Sequence, residues 1–148
     1  MFNGRVRAEW LDDGRNMRLL ESLTFMDSTG KIWSALPGSI INGASIPKIL
    51  WSILGSPYVG LYRRAAVIHD VHCSLKVEPY QAVHIVFNEM MAFDHVKDLL
   101  RTRMFKAVWY FGPKWVSSLL CTTPYYSELL PADPIEALEA LDAKPWPL

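Results

Sequence analysis

The feature that most constrains the fold is a change of hydrophobic period at Leu36-Pro37-Gly38. Before it, apolar and β-compatible residues come in short alternating runs separated by polar turns. After it, apolar residues recur at helical spacing. Proline cannot donate to a sheet ladder and glycine favours a turn, so the two halves must adopt different secondary structure. The expected fold is therefore α+β: a small N-terminal antiparallel β-sheet, hairpin or meander, followed by a bundle of about four helices.

In the first half, Val6, Ala8 and Trp10 fall on one side of an extended run, and Asp12-Asp13-Gly14 reads as a reversal. Leu19 to Met26 forms a second extended run, Asp27-Ser28-Thr29-Gly30 a strong turn, and Lys31 to Ala35 a third run. In the second half, Ser45 is placed to cap a short helix over 47–54 with Pro47 in its first turn, ended by Gly55 and Pro57. A helix over about 60–73 follows. Glu78-Pro79 opens another, with Tyr80, Val83, His84, Phe87 and Met91 along one stripe, and Asp94 is placed to cap a last one reaching Gly112-Pro113. Residues 1–130 read as a single domain. The stretch 131–148 reads as a proline-rich tail whose Asp133-Pro134-Ile135-Glu136 has the shape of a capping box, hence a short docked helix.

Composition narrows the function. There are 15 basic and 15 acidic residues with no basic run, which disfavours nucleic acid as a partner. Cys73 and Cys121 have no metal-ligand spacing to each other and suit a reducing compartment. The charged start of the chain has no signal-peptide core, so the expected location is the bacterial cytoplasm, with delivery from the cell or association with a virion as the variant. Residues 104–120 are too interrupted to span a bilayer. Their aromatics, Phe105, Trp109, Tyr110, Phe111 and Trp115, suit a core-facing helix first, then contact with a membrane or envelope surface or with a protein partner.

The chemistry gathers around Tyr62 to Cys73. His69 and Asp70 are adjacent on a helix and diverge by about 100°, so they cannot pair with each other and must do different jobs. In one arrangement His69 is a general base for water and Asp70 places a metal ion that polarises the attacked oxygen. In another, His69, His72 and His84 ligate a transition metal, since His69 and His72 share a face. Zinc would favour the imidazoles; calcium would want Asp70 with carbonyls from Asn42, Gly43 or Ala44. The catalytic candidates are thus His69 and Asp70, the metal candidates Asp70, His72 and His84, and the substrate-binding candidates Asn42 and Ser45. Against these stand plainer readings: His72 and His84 as hydrogen-bonded core residues, Asp70 paired with Arg63 or Arg64, Cys73 as a small buried hydrophobe, and Ser45 as a helix cap.

Gly43-Ala44-Ser45-Ile46-Pro47, Trp51, Gly55-Ser56-Pro57, Tyr62, Ala65-Ala66-Val67-Ile68-His69-Asp70 and Phe87 resemble an uncharacterised bacterial and phage family, catalogued as domain of unknown function 1353. The resemblance runs from about Val6 to Trp115 and implies a phage or prophage origin. This chain has Asn42 and His84 where that family usually has aspartates. A His-Asp pair on one helix beside a neighbouring helix also resembles secreted phospholipase A2, in which histidine activates water and aspartate holds calcium. Together these resemblances imply a metal-assisted hydrolase acting on cell-envelope material, lipid or peptidoglycan. The rival expectation is a non-catalytic phage accessory or interaction protein with a structural or degenerate His-Asp site.

Overall fold

The computed structural model describes residues 1–42 and 60–116. Six short strands come first: β1 (Phe2–Asn3), β2 (Ala8–Trp10), β3 (Met17–Leu19), β4 (Leu23–Met26), β5 (Ile32–Ala35) and β6 (Ile40–Ile41). Three helices follow: α1 (Arg63–Leu75), α2 (Tyr80–Phe93) and α3 (Asp98–Phe111). The strands form two antiparallel three-stranded sheets, β1-β4-β5 and β2-β3-β6.

The two sheets are halves of one meander. Phe2 faces Phe25, Asn3 faces Thr24, Ala8 faces Leu19 and Trp10 faces Met17, so β1-β4 and β2-β3 share one register. The Leu20 amide donates to the Arg7 carbonyl at 2.7 Å and carries that register across the gap. Leu23 faces Ala35 and Met17 faces Ile41 in a second common register, bridged by the Leu19 amide on the Ser39 carbonyl at 2.9 Å. The interruption lies where Leu36-Pro37-Gly38 leaves the ladder, but these residues do not end the sheet as expected: Ile40 and Ile41 rejoin it as β6, paired with β3. The expected turns form as read: Asp13 accepts the Arg15 and Asn16 amides at 2.9 and 2.8 Å. Asp27 accepts those of Thr29 and Lys31 at 2.9 and 3.0 Å, and its other oxygen takes the Trp33 indole N–H at 2.8 Å. These bonds hold the Asp27 carboxyl below its usual range against the opposing effect of burial.

Alternation along the strands buries Met17, Leu19, Leu23, Phe25, Trp33, Ala35 and Ile41 on one face. Helix α1 lies on that face, against β4, β5 and β6; α2 packs on α1, and α3 packs on α2. Because α1 has the sheet on one side and α2 on the other, every residue from Ala65 to Val71 is buried. That position in the layers puts His69 and Asp70 in the interior.

The described residues form three helices rather than the expected bundle of about four. The helix read over 47–54 and the tail at 131–148 lie outside the described residues, as does Ser45. Asp94 caps no following helix: the N-cap of α3 is Lys97, and Asp94 ends α2. Its carboxylate takes both a terminal and the ε nitrogen of Arg64, so Arg64 pairs with Asp94 and not with Asp70.

Gly4, at the interruption of the meander, has φ +97°, and an added Cβ would lie 2.5 Å from the Ser22 carbonyl oxygen. Gly4→Ala is expected to cost about 1–3 kcal/mol, since it combines a left-handed backbone with a clash against main chain. Gly14→Ala, at φ +65° in open space, should cost less. Urea unfolding of the two variants beside the parent measures the difference.

Candidate metal centre

Successive residues of α1 leave the helix in different directions, and each meets a different neighbour. His69 points toward α2, where its Nε2 lies 2.8 Å from His84 Nδ1 and its ring packs on Phe87 at 4.5 Å between centroids. Asp70 points toward the end of the meander, where its Oδ2 accepts the Asn42 backbone N–H at 2.7 Å. His72 points toward the sheet, its ring edge-on to Trp33 at 5.0 Å. Cys73, one turn beyond His69, returns to the His69 face. Its Sγ is 3.6 Å from His69 Nε2 and 3.8 Å from Nδ1.

Ligand atoms of His69, Cys73 and His84 all lie within 4.8 Å of one another. The three are 1 %, 6 % and 0 % exposed. Two imidazoles and a thiol are the donor types that zinc and other borderline or soft ions prefer. Zinc bonds of about 2.0–2.1 Å to nitrogen and 2.3 Å to sulfur set tetrahedral edges of about 3.3 Å between nitrogens and about 3.6 Å between nitrogen and sulfur. The sulfur edge to His69 Nε2 already matches. The nitrogen pair, now sharing a proton across 2.8 Å, must part by about half an ångström to admit an ion.

Electrostatics keep the rings in the ligating form. Burial pushes the His69 pKa well below its usual value, and the neighbouring His84 and His72 rings push it the same way. Burial lowers His84 to about 4; the Pro113 backbone works in the opposite sense and the Lys114 charge adds to the lowering. Both rings are therefore neutral at pH 7, and the proton between their facing nitrogens must move to the far nitrogen of its ring before both can ligate one ion. The other ring nitrogen of His84, Nε2, is buried. Around the ring stand Tyr80 at 5.6 Å and Trp109 and Trp115 at 6.4 Å each. Thus two of the aromatics near the C-terminal end of the described residues, Trp109 and Trp115, stand by this centre, and Trp115 is anchored there by its indole N–H on the Glu78 carbonyl at 2.8 Å.

Of the candidates read from the sequence, the structure brings together His69 and His84 and adds Cys73, which the sequence reading placed among simple buried hydrophobes. The available signal was the four-residue step from His69 to Cys73, which puts both on one helix face. Asp70 and His72 stand outside the group. Asn42 meets Asp70 through its amide N–H rather than through a carbonyl, which is the wrong polarity for a shared calcium ligand set. His72 Nε2 is buried without a partner, and burial lowers its pKa, with Lys31 adding and Glu78 and the Ser34 backbone opposing.

A meander carrying three stacked helices, with a His-Cys-His group between the first two, defines an α+β domain with a buried site of metal-ligand type. The chain belongs to the family described as "Protein of unknown function (DUF1353)", which it matches over residues 17–108. It is 35% identical over 133 residues to "Uncharacterized protein y4jT" of Sinorhizobium fredii (strain NBRC 101917 / NGR234), covering 84% of this chain and 40% of that protein. It is 34% identical over 103 residues to "Uncharacterized protein y4iH" of the same strain, covering 70% of this chain and 43% of that protein. The chain thus spans less than half the length of these relatives. No solved structure matches it. Nothing in these matches extends the likeness to secreted phospholipase A2: His69 bonds to a histidine on the neighbouring helix where that arrangement has a carboxylate. No helix among the described residues is long and apolar enough to cross a membrane.

The depressed imidazole pKa values make the metal-free protein acid-sensitive. Above pH 6.5 the rings are neutral in both folded and unfolded chains and add no pH dependence. Below it the unfolded chain takes up protons that folded His84 refuses until about pH 4, so stability falls as pH falls through that window. The urea midpoint is expected to drop between pH 6.5 and 4, and His84→Gln should flatten that slope.

Proposed function

We propose that this domain is a metal-dependent hydrolase whose ion, zinc before calcium, is held by His69, Cys73 and His84. The observation that carries the reading is the convergence of three ligand-type side chains, with both imidazoles held neutral, in one buried group. Three protein ligands leave a fourth position open, as catalytic zinc sites do, and an ion held this way supplies a Lewis acid that activates water or polarises an acyl or phosphoryl oxygen. In this reading Asp70 has a positioning role: by taking the Asn42 amide it fixes the start of the segment that leads on to Gly43-Ala44-Ser45, where substrate contacts from Asn42 and Ser45 are proposed. A phage or prophage origin and a cell-envelope substrate, lipid or peptidoglycan, belong to the same proposal, as does contact with the envelope surface. They are supported by the motif resemblance.

One observation favours a second reading, a non-catalytic interaction protein whose metal is structural: the near-complete burial of all three side chains. Both readings require the ion. Purified protein is expected to carry about one zinc per chain, to melt lower after chelation, and to lose the metal in Cys73→Ser and His84→Ala. A protein that takes up neither zinc nor calcium, with a melt that added metal leaves unchanged, refutes both. Chelator-sensitive hydrolysis of phospholipid vesicles or purified peptidoglycan selects the enzyme. A zinc-loaded protein that cleaves neither selects the structural centre.

A further inference from the structure

A concave site lies at the end of the α1-α2 pair where α1 begins and α2 finishes. The cleft has a volume of about 400 Å³ and is lined by Gly60, Leu61, Arg63, Arg64, Phe93, Asp94 and His95. At 1.5 Å per residue, Arg63 is about 9 Å along α1 from His69, so this cleft is separate from the metal centre and its occupant is independent of the hydrolase reading.

Its charges are arranged for an anion. Asp94, the one carboxylate in the lining, is engaged by two nitrogens of Arg64, whose guanidinium also lies 4.2 Å over the Phe2 ring. That pair is held in place and nearly neutral. Arg63 is left over: it is exposed and makes no ion pair with any described residue. Beside it His95 offers a ring nitrogen from a backbone with φ 57°, a left-handed conformation that turns the chain between α2 and α3 at the cleft. The first turn of α1 contains no acidic residue, and no side chain caps it. Two large apolar side chains flank these groups, Leu61 at 61% exposure and Phe93 at 45%.

We propose that this cleft binds the phosphate group of an ester that carries an apolar substituent, with Arg63 and His95 on the phosphate oxygens and Leu61 and Phe93 against the substituent. A guanidinium fork suits phosphate oxygens, and exposed apolar flanks distinguish an alkyl ester from the bare ion. The same chemistry is offered by a soluble phosphate ester and by a phospholipid headgroup, and the test separates them.

Binding of inorganic phosphate and of octyl phosphate is measured by NMR titration at low ionic strength. Saturable binding is expected for both, tighter for octyl phosphate. Arg63→Ala should weaken it at least tenfold without a change in Tm, and Arg18→Gln, which removes a charge from β3, should leave it unchanged. Co-sedimentation with phosphatidylglycerol vesicles that Arg63→Ala abolishes and octyl phosphate competes away supports the site and identifies a headgroup. Octyl phosphate binding without vesicle binding supports it and identifies a soluble ester. The proposal is overturned if neither phosphate binds saturably, if Arg63→Ala binds as the parent does, or if vesicle binding survives that substitution.

Discussion

The rest of the structure depends on the enclosure of helix α1. With the meander on one side and α2 on the other, every residue from Ala65 to Val71 is buried, yet the sequence places polar side chains there. A buried polar group costs free energy unless it finds a partner, typically about 1–3 kcal/mol for each left without one. Each therefore acts as a docking point for the element it faces. Asp70 fixes the chain leaving β6 through the Asn42 amide, and His69 fixes α2 through His84. Ala65 and Ile68 of α1 and Val83 and Phe87 of α2 are buried in the same apolar core. The polar contacts set their register, because only one alignment brings two buried imidazoles into hydrogen-bonding distance.

That division explains what was legible in the sequence. The meander was, because alternation and turn chemistry are local: Asp13 and Asp27 each organise a reversal within a few residues of themselves. Its interruption was only half legible. Pro37 and Gly38 announce a break on one strand, but the matching gap at Leu20 to Ser22 sits in a run with no breaker residue, and only the cross-strand partners impose it. The stripes of α1 and α2 were legible for the same local reason. Asp94 was misread because an aspartate ahead of an apolar run looks like a cap. Its actual partner, Arg64, lies thirty positions away, and no periodicity reports a contact of that kind.

For the site, the helix was evident and its membership was not. Sequence spacing tells which residues share a face, so it separates His69 from Asp70, but it cannot tell which face meets the neighbouring helix and which meets the sheet. His72 and Cys73 show the consequence. One is a histidine, the more obvious ligand, and its position on α1 turns it toward Trp33; the other is a cysteine that burial statistics assign to the core, and its position brings it to His69. The topology, with the sheet against one side of α1 and α2 against the other, decides between them.

The residue types at positions 84 and 42 bear on the chemistry of this interior. An aspartate at position 84 would place a carboxylate beside His69 in the interior, an anionic oxygen donor suited to orienting a histidine or to binding a hard cation. His84 is instead a neutral nitrogen donor whose own burial keeps it unprotonated. Were His69, Cys73 and His84 to hold an ion, the donors would be nitrogen and sulfur, a set suited to zinc rather than calcium. A neutral histidine also removes a charge that would otherwise have to be compensated in the core. At the other position, the Asn42 backbone N–H approaches Asp70, whose Oδ2 accepts it.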